Sequence, residues 1–147
     1  MGLWNRTLFQ EELSMLDGNE TNLVSSPCLV LAHPHPESQA VLGRGFRRLG
    51  WDVYTAQSGS EARRLARMLE ADMVILHVDL PEESGWLTCD KLRRELPLAS
   101  VILISDNLSA RDQELAGFVG ASALVDRTEG MVPLVEELLD PALPAAG

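Results

Sequence analysis

The sequence predicts an α/β domain in which helices cover both faces of a parallel β-sheet. Short, apolar segments of strand length alternate along the chain with amphipathic helical segments. Strands that are apolar throughout must be buried on both faces, and a parallel sheet flanked by helices provides that burial. The expected fold is therefore a doubly wound sheet of five parallel strands, whose connections are short and cross over in the right-handed sense.

Five segments have the composition of strands. The first, third and fourth are continuous apolar runs, the second alternates between apolar and polar residues, and the fifth is short. These segments are Cys28–Ala32, Trp51–Ala56, Met73–Leu76, Val101–Ile104 and Ala123–Val125.

Five helices are predicted, one after each strand. The first begins at Pro36 and ends at Gly50, in line with the preference for proline in the first turn and glycine after the last. Ser58 is expected to cap the second helix, Pro97 follows the third, and the fourth ends near Gly120. The apolar residues of these helices include Val41, Leu42, Phe46, Leu49, Ala62, Leu65, Leu69, Trp86, Leu92, Leu115, Ala116 and Phe118, and the last helix contains Pro133, Leu134, Val135, Leu138 and Leu139.

Composition divides the chain into residues 1–27, an N-terminal helical extension and linker, residues 28–140, the α/β domain, and residues 141–147, a tail. A capping-box spacing at Thr7 predicts a short amphipathic helix over about 6–17. Its apolar residues are Trp4, Leu8, Leu13 and Leu16. Such a stripe is expected to dock on an apolar surface of its own domain or of a second subunit.

The overall composition excludes several classes of protein. A chain of 147 residues with 46% hydrophobic and 23% charged residues fits one globular domain. Two cysteines, Cys28 and Cys89, are too few for a disulfide scaffold or a Cys-rich zinc module. The net charge of −10 argues against direct binding to nucleic acid or to anionic membranes. Without a long apolar run or a secretion signal, the expected location is cytoplasmic.

Catalytic motifs are also missing from the sequence. No glycine-rich phosphate loop follows the first strand, and no serine or cysteine lies in a nucleophile elbow. We therefore expect no enzyme activity, no catalytic residue and no cofactor.

Several motifs resemble the receiver domains of bacterial two-component response regulators. The third strand and its following loop carry the most specific ones, and further motifs precede the second strand, the second helix and the fifth strand. They are Ala71–Leu76, Leu80-Pro81, Ser84-Gly85, Leu49-Gly50-Trp51, Ser58–Ala62 and Gly120-Ala121-Ser122. The resemblance covers about residues 28–140 and implies a flavodoxin-like sheet of strand order 2-1-3-4-5.

The resemblance also implies a site at the carboxyl ends of the strands. In the family, an aspartate at the end of the third strand accepts a phosphoryl group. Two acidic residues after the first strand bind the Mg²⁺ ion, which is a hard cation that prefers oxygen ligands. A hydroxyl after the fourth strand and a lysine after the fifth strand contact the phosphoryl oxygens.

Most of these family positions carry other residue types in this sequence. The phosphoacceptor position is His77, and the acidic pair falls on His33 and Pro34. Ser105 keeps the hydroxyl position, and Arg127 takes the lysine position. The resemblance thus implies a degenerate, atypical member, a pseudo-receiver, that has neither the carboxylate nucleophile nor the magnesium ligands and binds no metal.

Two substitute phosphoacceptors are conceivable but disfavoured. Asp79, two residues beyond His77, would point to the same side if the strand continued. His77 itself would have to hold a phosphoryl group without magnesium. Arg127, which stays charged at any relevant pH, is expected to pair with Asp79 or Asp106 or to face solvent.

The three histidines, His33, His35 and His77, all fall at the predicted carboxyl edge, near Asp79 and Asp106. The simpler interpretation is that they fill a vacated acidic pocket, with hydrogen bonds to one another and to Asp79. The alternative is a ligand sensor, in which the altered pocket binds a metal, a proton or a small anion.

The leading functional hypothesis is a phosphorylation-independent protein-interaction module in bacterial signal transduction. The family's aromatic switch position in the fifth strand falls on Leu124. The surface formed by the fourth helix, fifth strand and fifth helix, about residues 108–139, is expected to bind a protein partner or a second copy. Its exposed candidates are Arg111, Gln113, Glu114, Glu136 and Glu137. A third hypothesis is that the chain is the front part of a longer regulator.

Overall fold

The computed structural model describes residues 26–126 and Pro133, and in residues 26–126 five strands alternate with four helices. The strands are β1 (Cys28–Ala32), β2 (Asp52–Ala56), β3 (Met73–His77), β4 (Ser100–Ser105) and β5 (Ala123–Asp126). The helices are α1 (Pro36–Arg48), α2 (Gly59–Leu69), α3 (Gly85–Glu95) and α4 (Ala110–Val119). No helix in this part of the chain is long and apolar enough to cross a membrane. The predicted helix over 6–17 and the predicted last helix, apart from Pro133, lie outside the described residues.

The five strands form one parallel sheet in the order β2-β1-β3-β4-β5. The predicted fold class and strand order are therefore confirmed. Since β1 and β3 are direct neighbours, the residues that follow Ala32 and those that end β3 meet at one edge of the sheet. His77 pairs with Ile104 of β4, so that the carboxyl end of β4 lies at the same edge.

Each face of the sheet has its own apolar core, because successive strand residues point to opposite faces. On one face, alternate residues of β1, β3 and β4 pack with Ala62 and Ala66 of α2, Cys89 and Leu92 of α3, and Val119 of α4. On the other face, the intervening strand residues pack with two side chains of α1. These are Leu42 and Phe46.

Serine caps begin three of the helices. The hydroxyl of Ser58 accepts a hydrogen bond from the Glu61 amide at 3.2 Å, which confirms the predicted cap of α2. Ser84 and Ser109 cap α3 and α4 in the same way. Gly120 follows α4 with φ +77°, a left-handed conformation that favours glycine.

Some apolar helix residues are exposed rather than buried. Phe118, which we expected in the apolar pattern of α4, is 85% exposed, whereas Ala116 and Val119 are buried. Val41 and Leu49 at α1 are also exposed. The helices are as predicted, but these side chains do not contribute to the core.

The segment between β3 and α3 packs tightly beneath the carboxyl edge. The Gly85 amide donates to the Val78 carbonyl at 3.0 Å, and a Cβ atom at Gly85 would overlap the His77 carbonyl oxygen. A Cβ atom at Gly59 would come within 2.5 Å of the Glu83 carbonyl oxygen. Only glycine allows the backbone segments at Gly85 and Gly59 to pack this closely. This packing holds the backbone at His77 in place.

Candidate functional site

Three histidines meet at the carboxyl edge of the sheet and are called here the histidine cluster: His33, His35 and His77. The rings of His33 and His77 approach edge to face, with centroids 4.7 Å apart, and the His35 ring lies 5.4 Å from His33 and 6.5 Å from His77. His33 is 4% exposed and His77 1%, whereas His35 is exposed. Because β1 and β3 are neighbours, the buried ring of His33, directly after β1, lies beside the buried ring of His77, at the end of β3.

Both ring nitrogens of His77 make hydrogen bonds. The Asp79 amide donates to His77 Nδ1 at 3.0 Å, so Nδ1 carries no proton. The neutral ring then carries its proton on Nε2 and donates it to Asp106 Oδ2 at 2.9 Å. The buried imidazole is thereby held between a backbone amide and a carboxylate whose side chain is 54% exposed.

The condition under which Asp79 would point to the same side as His77, a third strand that continues beyond His77, is not met. Strand β3 ends at His77, and Asp79 lies in the turn that follows, with an exposed side chain. The carboxylate bonded to His77 belongs to Asp106, after β4, rather than to Asp79.

His33 is held in its neutral form. Its pKa is lowered from 6.5 to about 4, mainly by burial and also by the positive charge that His77 or His35 would carry, while the Asp106 carboxylate partly offsets these effects. The His35 amide donates to His33 Nδ1 at 3.1 Å. At neutral pH the buried ring is therefore uncharged.

The residues at the acidic-pair positions do not fit the magnesium ion that the family resemblance implies. Mg²⁺ prefers carboxylate and other oxygen ligands, whereas His33 offers an imidazole and Pro34 offers no side-chain ligand. Of the acids at this edge, Asp106 is bonded to His77 and Asp79 is exposed. Within the described part of the chain, no three His, Cys, Asp or Glu side chains are arranged to hold a metal ion.

Ser105 at the end of β4 is buried and its hydroxyl is bonded within the fold. Ser105 Oγ donates to Asp112 Oδ2 at 3.0 Å and accepts from the Asn107 amide at 3.3 Å. Asp112 lies in the first turn of α4. The hydroxyl thus joins the carboxyl end of β4 to α4.

The remaining predicted residues lie in or near the last elements. Leu124 in β5 is partly buried and packs against the core beneath α2, α3 and α4. Of the candidates for the interaction surface, Arg111, Gln113 and Glu114 are exposed on α4. Arg127, Glu136 and Glu137 lie outside the described residues.

Sequence reasoning missed Gln39, a buried polar residue of α1. Its side-chain amide donates to the Leu31 carbonyl at 3.3 Å and to the Ala56 carbonyl at 3.0 Å, and so connects the carboxyl ends of β1 and β2. The sequence did contain an indication that Gln39 is buried, because its spacing places it on the same helix face as Leu42 and Phe46.

Sequence reasoning also missed a set of four charged side chains and one hydroxyl between α2 and α3, called here the Glu83 cluster: Arg63, Glu83, Thr88, Lys91 and Glu95. Arg63 donates to both oxygens of Glu83, at 2.9 and 3.1 Å, and to Glu95 at 2.9 Å. Lys91 and Thr88 donate to Glu83 at 2.9 and 2.8 Å. Burial alone would raise the Glu83 pKa, but the hydrogen bonds from Arg63, Lys91 and Thr88 outweigh it and lower the pKa to about 2.

Comparison with known proteins gives one consistent result. The family model described as "Response regulator receiver domain" matches residues 29–138. The "Probable transcriptional regulatory protein TcrX" of Mycobacterium tuberculosis is 32% identical over 85 residues, which are 58% of this chain and 36% of that protein. The "Alkaline phosphatase synthesis transcriptional regulatory protein PhoP" of Bacillus subtilis is 31% identical over 80 residues, 54% of this chain and 32% of that protein.

Solved structures support the same fold. The chemotaxis protein CheY4 of Vibrio cholerae superposes with a TM-score of 0.71 at 16% identity, over 77% of this chain and 98% of that one. The receiver domain of the putative response regulator NarL of Mycobacterium tuberculosis gives a TM-score of 0.69 at 22% identity, over 77% and 95%.

The fold and the family match together define a receiver domain. The chain belongs to the response regulator receiver family, whose members are signalling modules that interact with partner proteins. The alignments to the two curated relatives named above span about a third of those proteins.

Proposed function

We propose that this receiver domain works as a phosphorylation-independent protein-interaction module in signal transduction. The observation that carries the proposal is the residue at the end of β3: His77 has an imidazole at the position for which the family resemblance implies a carboxylate nucleophile. A partner protein, rather than a phosphoryl group, would then set the state of the domain.

The surroundings of His77 support this proposal over phosphorylation of the histidine itself. Phosphorylation at Nε2 would remove the hydrogen bond to Asp106 and bring a dianion next to that carboxylate. Phosphorylation at Nδ1 would displace the amide of Asp79. The neutral His33 ring beside it supplies no positive charge.

The bonding of Ser105 supports a fixed state. In the family resemblance this hydroxyl contacts the phosphoryl oxygens, but here it donates its proton to Asp112 of α4. The protein's own side chains therefore link β4 to α4. We infer that α4 keeps one position, which a partner recognises.

The exposed face of α4 is the proposed contact surface for that partner. Arg111, Gln113 and Glu114 offer charged and polar groups, and the exposed ring of Phe118 offers an apolar anchor. Leu124, Glu136 and Glu137 complete the proposed surface from the fifth strand and the predicted last helix.

Intact mass spectrometry after incubation with acetyl phosphate and Mg²⁺ tests the proposal. We expect no mass gain for the wild type. We also expect none for His77→Asp, because that variant restores the nucleophile but not the magnesium ligands. The variant with His33→Asp, Pro34→Asp and His77→Asp together restores all three acidic positions and is the control for a competent pocket. A phosphate adduct on the wild type would overturn the proposal.

Titration calorimetry with Zn²⁺ tests the alternative, a ligand sensor. The engaged Nδ1 atoms of His33 and His77 argue against it. We expect no binding at micromolar Zn²⁺. Binding that His77→Ala abolishes would favour the sensor over the interaction module.

A further inference from the structure

Helix α1 carries an exposed stripe of one apolar and two basic residues, called here the α1 stripe: Val41, Arg44 and Arg48. Their spacing of three and four residues places them on one side of the helix, and Val41 is 54% exposed. Both arginines are exposed, and no hydrogen bond or ion pair joins either of them to another residue within 26–126. Arg47, by contrast, donates to the Val53 carbonyl at 3.0 Å.

Residues 1–25 have the complementary chemistry. They contain a single basic residue, Arg6, and four acidic ones: Glu11, Glu12, Asp17 and Glu20. In the helix predicted over 6–17, Leu8, Glu12 and Leu16 follow one another at intervals of four. That spacing puts a carboxylate between two apolar side chains on one helix face.

The point where this segment enters the domain lies beside the carboxyl end of α1. The Asp52 amide donates to the Pro27 carbonyl at 2.9 Å, and Asp52 begins β2, three residues after the exposed Leu49 at the end of α1. The linker over 18–26 can reach roughly 30 Å at about 3.3–3.6 Å per residue. Helix α1, with 13 residues, is about 20 Å long, so the whole α1 stripe is within reach.

We propose that the N-terminal segment, residues 1–25, docks on the α1 stripe of its own domain. Glu11 and Glu12 then face Arg44 and Arg48, and the apolar side chains of the segment cover Val41 and Leu49. Helix α1 packs on one face of the sheet and α4 on the other, so the docked segment leaves the proposed partner surface on α4 uncovered. This inference is independent of the proposed function.

A competing place for the segment is the larger apolar surface at Phe118. Helix α4 carries Asp112 and Glu114 against the single positive charge of Arg111. An acidic segment is repelled there, whereas α1 carries three arginines against one acid, Glu37. Charge therefore selects α1 over α4.

Paramagnetic relaxation in the full chain tests the docking. A nitroxide at Ser14→Cys lies on the side of the predicted helix away from Glu12, since two residues turn a helix by about 200°. Cys28 and Cys89 are buried, and burial raises the Cys89 pKa to about 11, so the label goes to the new thiol. We expect the amide signals of Val41, Arg44 and Arg48 to broaden and those near Phe118 to keep their intensity.

Charge reversal provides the matched controls. Arg44→Glu with Arg48→Glu should lower the ratio of docked to undocked segment by about tenfold, because two exposed attractions become repulsions. Adding Glu11→Arg with Glu12→Arg should restore the broadening. The same reversal on other helices, Arg64→Glu with Arg94→Glu, should leave it unchanged. Three results would overturn the proposal. The first is broadening at α4, and the second is broadening at α1 that the charge reversal does not change. The third is broadening that occurs only between labelled and unlabelled copies in a mixture.

Discussion

Two clusters of ionisable side chains include residues at the two ends of the segment that joins β3 to α3: His77 precedes it and Glu83 lies near its end. The two clusters differ in the charge that they keep. The Glu83 cluster keeps a carboxylate fully charged in a nearly buried place, because Arg63 and Lys91 both donate to it. The histidine cluster is neutral at its centre, since burial keeps His33 from taking up a proton. A buried charge persists only where opposite charges and hydrogen bonds replace the water that it loses.

If His33, Pro34 and His77 occupy the family's acidic positions, as proposed, the difference explains how a receiver fold persists at this edge. A group of carboxylates without magnesium is costly because like charges repel at short range. Neutral imidazoles avoid that cost, and the backbone amides of His35 and Asp79 satisfy one nitrogen of each buried ring. The Glu83 cluster, by contrast, joins α2 to Glu83 and to α3 by ion pairs.

Loss of the Glu83 charge should have the largest effect on stability. Glu83→Gln leaves Arg63 and Lys91 without their shared carboxylate, and we expect it to lower the free energy of unfolding by about 3 kcal/mol. Glu82→Gln removes an exposed carboxylate next to it and is the matched control, with little expected change. Urea denaturation at pH 7 measures both variants. Equal, small effects would show that the cluster does not hold α2 and α3 together.

Acid should weaken the two clusters in pH ranges that overlap only between about pH 4 and 5. The Glu83 pKa falls from 4.5 to about 2 on folding, so its contribution is complete above about pH 5 and is lost as the pH falls toward 2. The His33 pKa falls from 6.5 to about 4, so below pH 6.5 the unfolded chain takes up a proton that the folded one refuses. Stability therefore drops between pH 6.5 and 4. Each shift corresponds to at most about 3 kcal/mol.

His33→Asn isolates the upper pH range. The asparagine side-chain oxygen can accept a hydrogen bond from the His35 amide, as His33 Nδ1 does, but asparagine does not titrate. Unfolding free energies measured across pH 4–7 should fall less in this variant than in the wild type. A fall of the same size in both proteins would contradict a neutral, buried His33.

Gly85→Ala should have a smaller effect, of about 2 kcal/mol, because its Cβ would press on the His77 carbonyl oxygen, which is backbone and cannot swing away. Gly117→Ala in α4 is the control: apart from its chain neighbours and the backbone of its own helix, no described atom lies within 4 Å of the added Cβ, and alanine favours the helix by about 0.5–1 kcal/mol. Thermal unfolding should rank Gly117→Ala above the wild type and Gly85→Ala below it. Tolerance of Gly85→Ala would mean that the backbone under His77 yields easily.

The sequence predicted the fold well because strand composition and helix caps are local properties. The runs at Cys28–Ala32 and Met73–Leu76 match β1 and β3 closely, and Ser58 caps α2 as expected. The gathering of His33 and His77 at one edge also follows from strand order. What the sequence did not indicate depends on contacts between distant residues, as with the pairing of Arg63 and Glu83 across 20 positions.

Local sequence patterns also could not predict which residues form hydrogen bonds with the histidines. Whether His77 meets Asp79 or Asp106 depends on the residue at which β3 ends, and strand ends are the least certain feature of a sequence-based prediction. The exposure of Phe118 has a similar origin. Its position in the helical pattern was correct, but the face that α4 turns to the core is set by α3 and the sheet.

We propose that the pocket at His33, Pro34 and His77 provides no site for Mg²⁺ and a phosphoryl group. Backbone amide NMR measures the binding of both directly. Mg²⁺, alone and with beryllofluoride as a phosphoryl mimic, is titrated into the wild-type protein and into the variant with His33→Asp, Pro34→Asp and His77→Asp. We expect no saturable chemical-shift change at the amides of Asp79, Ser105 or Asp106 in the wild type. Saturable shifts at those amides in the wild type that require Mg²⁺ would contradict it.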